Sequence, residues 1–128
     1  MTTHIAAMAK ATLQHYIDAF NAGDAKALTA LFADDGVIID PVGIAPKQGK
    51  ALAEWFEEAV GMGIRMQLAA PIRGSKSNCA AAAIIATMPQ DGQLVTVNTL
   101  DVIAVNEQGK ILNLSAYWGE DDFSSAPL

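Results

Sequence analysis

NCAAAAIIATMPQDGQLVTVNTLDVIAV, running from Asn78 to Val105, decides the fold. Asn78 to Met88 is small and apolar on both faces, the composition of a strand that lies centrally in a sheet. Gln90-Asp91-Gly92 interrupts it with turn chemistry. Leu94 to Val105 then carries Val97, Thr99, Asp101, Ile103 and Val105 on one face, and Thr96, Asn98, Leu100, Val102 and Ala104 on the other. Two long β segments joined by a short glycine turn read as an antiparallel hairpin.

Working outward, Asn106-Glu107-Gln108-Gly109 is a second turn. It leads into a last strand, Lys110 to Trp118, where Leu112, Leu114, Ala116 and Trp118 alternate with Asn113, Ser115 and Tyr117. The tail from Gly119 is predicted as an extended surface segment. Upstream of the hairpin, Ile64, Met66, Leu68, Ala70 and Ile72 alternate with more polar neighbours, so this segment also reads as β. Further upstream the period lengthens. Ile5, Met8, Leu13, Tyr16, Ile17 and Phe20 recur mostly every three or four residues, the spacing of an amphipathic helix that closes at Asn21-Ala22-Gly23. Asp24 caps a second helix carrying Leu28, Leu31 and Phe32, predicted to end at Asp34-Asp35-Gly36. Val37 to Asp40 is a short β segment ended by Pro41, which cannot donate to a ladder. Pro41 to Gln48 is a loop, and Lys50 to Val60 a third helix closed by Gly61-Met62-Gly63. Helices first and strands afterwards give an α+β chain of one domain over residues 1–128. The expected architecture is a curved antiparallel sheet wrapped on one face by three helices, cone-like, with an apolar pocket inside.

Composition narrows the function classes. Hydrophobic residues make up 52% and charged residues 17% of the chain, far from the composition of disorder. The apolar share is high for a small monomer, which points to an apolar cavity, a face buried against a second copy, or both. The net charge is −6 and the eight Lys and Arg are scattered, so no basic patch exists to hold nucleic acid or an anionic membrane. The single cysteine, Cys79, cannot form an intrachain disulfide, and His4 and His15 make no metal-ligand cluster. No signal peptide or spanning segment is apparent, and a soluble cytoplasmic protein is expected.

The informative residues are polar ones in apolar company. Asp101 shares its face with branched apolar side chains. An ionised, unpaired carboxylate there costs several kcal/mol, and each unit of pKa shift costs about 1.4 kcal/mol, so the group is expected to stay protonated. A neutral acid in a dry pocket donates a hydrogen bond, which suits a developing oxyanion. The alternative is an aspartate paired with Lys or Arg, or one at a solvated edge. Asp40 follows the apolar run Val37-Ile38-Ile39, at a strand end where a catalytic carboxylate is often found; an Asp-Pro turn is the other reading. Tyr16 lies on the apolar stripe of the first helix, as a donor or as a core residue with a satisfied hydroxyl. His15 points off that stripe, and Cys79 reads as a small core residue. There is no phosphate-cradling glycine loop and no nucleophile elbow.

Several segments together resemble a known family. They are Tyr16-Ile17, Asn21-Ala22-Gly23-Asp24, Leu31-Phe32-Ala33-Asp34-Asp35, Asp40-Pro41-Val42-Gly43, Gln48-Gly49-Lys50, Gly109-Lys110-Ile111 and Ala116-Tyr117-Trp118. In these the chain resembles the bacterial steroid Δ5-isomerases, or ketosteroid isomerases, of the fold superfamily that includes nuclear transport factor 2. The resemblance spans about Leu13 to Glu120. Leu31 to Asp35 marks the fold, whereas Tyr16, Asp40 and Asp101 together mark the chemistry. That family is a standing example of a carboxylic acid kept neutral in an apolar site, so the reading of Asp101 agrees with the example and is not independent of it.

The resemblance implies an isomerase that moves a C=C bond of a 3-oxo-Δ5-steroid into conjugation. Asp40 would be the base, with Tyr16 and protonated Asp101 as the oxyanion hole. It further implies pocket walls at Phe20, Phe56, Ile64, Ile84 and Trp118, no cofactor and no metal, a small apolar ketone as the ligand, and a homodimer. The chain departs from the family on helix three, where many members carry a tyrosine after the phenylalanine; the run Trp55-Phe56-Glu57 puts Glu57 there. Phe32 also lacks a hydroxyl. Two other classes share this fold: enzymes such as polyketide cyclases or epoxide hydrolases, and non-catalytic modules that bind apolar ligands or proteins.

Overall fold

Helix α1 (His4–Asn21) begins where a threonine can cap it: the Thr3 hydroxyl accepts the Ala6 N–H at 3.2 Å. The computed structural model describes residues 3–128. Leu13, Tyr16, Ile17 and Phe20 of the stripe read from the sequence are buried, Ile5 and Met8 are half-buried, and His15 is exposed on the other side. The helix closes with Gly23 at φ 67°, and the Asp24 carboxylate accepts the Ala27 N–H at 3.0 Å to start α2 (Ala25–Ala30). Both caps are where side-chain chemistry put them.

Helix α2 stops at Ala30, earlier than predicted. The reason is tertiary. The Ile111 N–H donates to the Leu31 carbonyl at 2.8 Å, and Phe32 pairs with Ile111, so strand β1 (Phe32–Ile39) takes residues whose local pattern was helical. The following loop contains a two-residue strand β2 (Lys47–Gln48) paired with β1, and then α3 (Gly49–Gly61). Strand β3 (Arg65–Leu68) is shorter than predicted; beyond it only single contacts, such as the bridge between Arg73 and Ala81, hold the chain to the sheet. The hairpin is as read: β4 (Cys79–Gln90) pairs with β5 (Gln93–Val105) along its whole length. Strand β6 (Ile111–Tyr117) follows, then a 3-10 turn at Glu120–Asp122. The exposed tail forms β7 (Phe123–Pro127).

The strand order is β2-β1-β6-β5-β4-β3, with β7 also on β5. Most pairs are antiparallel, but β1 and β6 run parallel, so the sheet is mixed where an antiparallel one was expected. It is curved and does not close, and the three helices accompany it as expected. The core lies between the helices and the inner sheet face: Leu13, Tyr16 and Phe20 from α1, Leu28 from α2 and Phe56 from α3 meet Ile84, Ile103, Val105, Ile111 and Leu114. Five aromatic rings form a cluster of edge-on and tilted contacts there, with Tyr16 5.2 Å from Phe20, Phe56 5.5 Å from Phe32, and Trp55 5.2 Å from Phe56.

Two side chains tie helix to sheet. Asn21 clasps the Met66 backbone, donating to its carbonyl at 2.8 Å and accepting its N–H at 2.7 Å. The Thr12 hydroxyl donates to the Gly109 carbonyl at 2.8 Å. Among the described residues, no helix is long and apolar enough to cross a membrane.

One feature of β5 positions the site. Its outer half-ladder is shared: Leu100 to Val105 pairs with β6, while Gln93 to Val97 pairs with β7. Asn98 and Thr99 fall at the change of partner, where the chain between Tyr117 and Phe123 leaves the ladder and carries Trp118.

Candidate active site

Asp40 and Asp101 are brought to one cavity. Its volume is about 290 Å³, and its walls include Phe20, Trp55, Ile64, Met66, Val97 and Trp118. Asp40 follows β1 and is joined to Pro41 by a cis peptide. Asp101 sits on the inner face of β5 between Thr99 and Ile103 and is 2% exposed. Neither forms an ion pair, the one ion pair among the described residues being Lys50 with Glu54; Lys47 acts on Asp40 only from a distance, and no cation acts on Asp101. The ion-paired and edge readings of Asp101 therefore fall away.

Of the five predicted wall residues, Phe20, Ile64 and Trp118 line the cavity. Phe56 and Ile84 do not. Both are buried in the core, Phe56 against Tyr16 and Phe20, and Ile84 beside Thr99 on the neighbouring strand. Their inward direction was legible, but how far the wall stands from the core was not. Tyr16 is also completely buried and does not line the cavity; its ring meets that of Phe20 edge-on at 5.2 Å, its hydroxyl is unpartnered, and it lies near enough to feel the charges of Asp101 and Asp40. Glu57 is exposed and has no part in the site; the helix-three side chain that meets Tyr16 is Phe56, at 6.1 Å between ring centroids. Phe56 offers Tyr16 a ring edge and no hydroxyl.

The electrostatics separate the three groups. Burial, and then the charge of Asp40, push the Asp101 carboxyl up to about 7, while a hydrogen bond from Thr99 pulls it down. Burial also raises Asp40, opposed by the hydrogen bond from Trp118 and by the charge of Lys47. The Tyr16 hydroxyl is raised well above its ordinary value by burial, then by the charges of Asp101 and Asp40, so it stays a donor. Two carboxyl groups sharing a low-dielectric site do not both ionise easily, so the charge of Asp40 favours the proton on Asp101.

Two functional contacts had no sequence signal strong enough to find them. Trp118 was expected only as a wall, yet its indole N–H donates to Asp40 Oδ1 at 2.8 Å. The Thr99 hydroxyl donates to Asp101 Oδ1 at 3.0 Å. Threonine two positions before an aspartate on one strand face is the only hint, and threonine is common in strands.

The chain is similar in sequence and fold to known proteins. The SnoaL-like domain family matches residues 13–114. A steroid Delta-isomerase of Nocardioides simplex is 32% identical over 124 residues, covering 96% of this chain and 99% of that protein. The structure of a Delta 5-3-ketosteroid isomerase from Mycobacterium sp. superposes with a TM-score of 0.83 at 28% identity, over 93% of this chain and 98% of that one. SalBIII, an epoxide hydrolase/cyclase-like enzyme in pyran ring formation in the polyether salinomycin, gives a TM-score of 0.85 at 25% identity, over 91% and 95%.

Proposed function

Because this chain belongs to the SnoaL-like domain family and to that of the steroid Delta-isomerases, we propose that it converts a 3-oxo-Δ5-steroid to the conjugated Δ4-3-ketone, with Asp40 as base and Tyr16 and Asp101 as the oxyanion pair. The ionised Asp40 takes a proton from C4, next to the ketone, and the electrons move into a dienolate. Protonated Asp40 then delivers that proton to C6, so no atom is gained or lost. The negative charge of the dienolate rests on the C3 oxygen, to which the Tyr16 hydroxyl and the protonated Asp101 each donate.

The observation that carries this reading is the Tyr16 hydroxyl. Among the described residues it is the one buried side-chain polar atom without a hydrogen-bond partner. A buried donor left unsatisfied costs about 1–3 kcal/mol. The charge of Asp101 already acts on this hydroxyl, so a ligand oxygen that enters past Asp101 at the inner end of the cavity would supply the missing acceptor, while the apolar wall takes the hydrocarbon body. Trp118 keeps one oxygen of Asp40 occupied and aims the other. The site's donors favour oxyanion stabilisation over the activation of water that an epoxide hydrolase needs. A homodimer belongs to the same proposal, supported by exposed Leu100 and Tyr117, which are neighbours across β5 and β6.

The test is to incubate the protein with a Δ5-3-ketosteroid and follow the conjugated-enone absorbance. Turnover is expected, and Asp40→Asn should lower kcat by about 10²–10⁴ with little change in binding. No turnover by folded protein sinks the steroid assignment; an undiminished rate in Asp40→Asn removes Asp40 as base.

A further inference from the structure

Thr99 lines the same cavity as Asp101 and has no role in the steps above. It lies at the change of partner on β5, where its backbone is flanked by neither β6 nor β7. Its hydroxyl has two acceptors in reach, Asp101 Oδ1 at 3.0 Å and the Tyr117 carbonyl at 3.5 Å. The shorter contact wins, since hydrogen bonds from a hydroxyl weaken quickly beyond about 3 Å. We propose that Thr99 is a positioning residue for the oxyanion pair: its hydroxyl occupies Oδ1 of Asp101 and so leaves the acid proton to Oδ2, for donation to the ligand oxygen.

Two consequences follow from the geometry. A carboxylic acid without a fixed neighbour can place its proton on either oxygen, and one engaged on one side cannot. The Thr99 bond also binds the carboxylate more strongly than the acid, because hydrogen bonds to a charged acceptor are the stronger kind. Thr99 therefore opposes the neutral form while orienting it, consistent with the direction of its effect on Asp101. The other titratable groups facing Asp101 are Tyr16 from α1 and Asp40 after β1; its cross-strand neighbours are Ala82 and Ala116, and no cation pairs with it among the described residues.

The role in catalysis rests on the isomerase reading, so the test has one arm that does not. Carboxyl-carbon NMR of the protein without ligand follows Asp101 with pH, the resonance being assigned by its loss in Asp101→Asn. Thr99→Val, which keeps the shape of the side chain, should move the Asp101 midpoint up by about one unit; Thr99→Ala, a second removal of the hydroxyl, should do the same. Thr99→Ser should restore it. In the second arm, the alkaline limb of kcat/KM with a Δ5-3-ketosteroid should move up with the midpoint. The kcat of Thr99→Val below that limb should fall severalfold with KM little changed. An unmoved midpoint in the folded variants, or a serine that fails to restore it, overturns the proposal. If the wild type turns over no ketosteroid, the isomerase reading fails while the NMR arm still decides what Thr99 does to Asp101.

Discussion

Position 101 carries a carboxyl group between a threonine and Ile103, with Val105 beyond, on a face turned to the core. The energetic consequence has a definite sign. Unfolded, the group titrates near 3.8; folded, near 7. Between those values the folded chain holds a proton that the unfolded chain has released, so stability falls as pH rises from about 4 through about 7. Asp40 is raised in the same sense. Asp101→Asn keeps the shape and cannot ionise. It should therefore be more stable than wild type at pH 8 by a few kcal/mol, with a smaller margin at pH 5, while kcat falls. Urea unfolding at the two pH values checks this, and a variant less stable at pH 8 would refute the buried-charge account. The same groups shape the rate: kcat/KM should be bell-shaped, falling on the alkaline side as Asp101 ionises near pH 7 and on the acid side as Asp40 protonates, above the ordinary carboxylate range. At this scale Asp101 was legible because strand alternation put it among apolar neighbours. Tyr16 was not, since a tyrosine on an apolar stripe is ordinary core and its orphan hydroxyl appears only in three dimensions. Trp118 and Thr99 were legible only as residues of the right face, because the direction of an N–H or O–H is not written in spacing.

Element by element, what local chemistry controls was readable and what pairing controls was not. The caps at Gly23 and Asp24, the helix α3 closure and the β4–β5 hairpin depend on residues within a few positions. The end of α2, the parallel β1–β6 pairing and the pairing of the tail with β5 depend on partners about 80 or about 30 residues away, and Phe32 changed from helix to strand for that reason. Gly36 shows how tightly β1 is held. A Cβ there would stand 2.6 Å from the Ile111 carbonyl oxygen and 3.0 Å from that of Ala33, at the irregularity between Phe32 and Val37. Backbone on both sides cannot yield cheaply, so Gly36→Ala should cost about 1–3 kcal/mol. Asp40 hangs from the same strand, and misplacing a catalytic group by about 1 Å can cost about a hundredfold in rate. Denaturant unfolding combined with turnover checks both, and a variant as stable and as fast as wild type would show that β1 adjusts freely.

For the molecule as a whole, the apolar excess of the composition has two destinations. One is the inner face of the sheet, where the core and cavity absorb it. The other is the outer face, where Leu100 is 53% and Tyr117 51% exposed directly across from each other. Strand alternation makes the two destinations back to back: Leu100 points out where Asp101 points in, and Tyr117 points out where Ala116 points in. In the proposed homodimer this exposed pair would meet its own copy about a two-fold axis, the usual geometry of such dimers. Burial of that pair would also brace the strand that carries Asp101 from behind. Leu100→Asp places a charge at the centre of the contact and a second one across the axis, so it should convert a dimer to a 13.4 kDa monomer. Light scattering reads the mass directly, and turnover of the monomer should fall if the second chain braces β5. A wild type that scatters as a 13.4 kDa particle at micromolar concentration would remove the dimer, and the outer apolar pair would then be only surface.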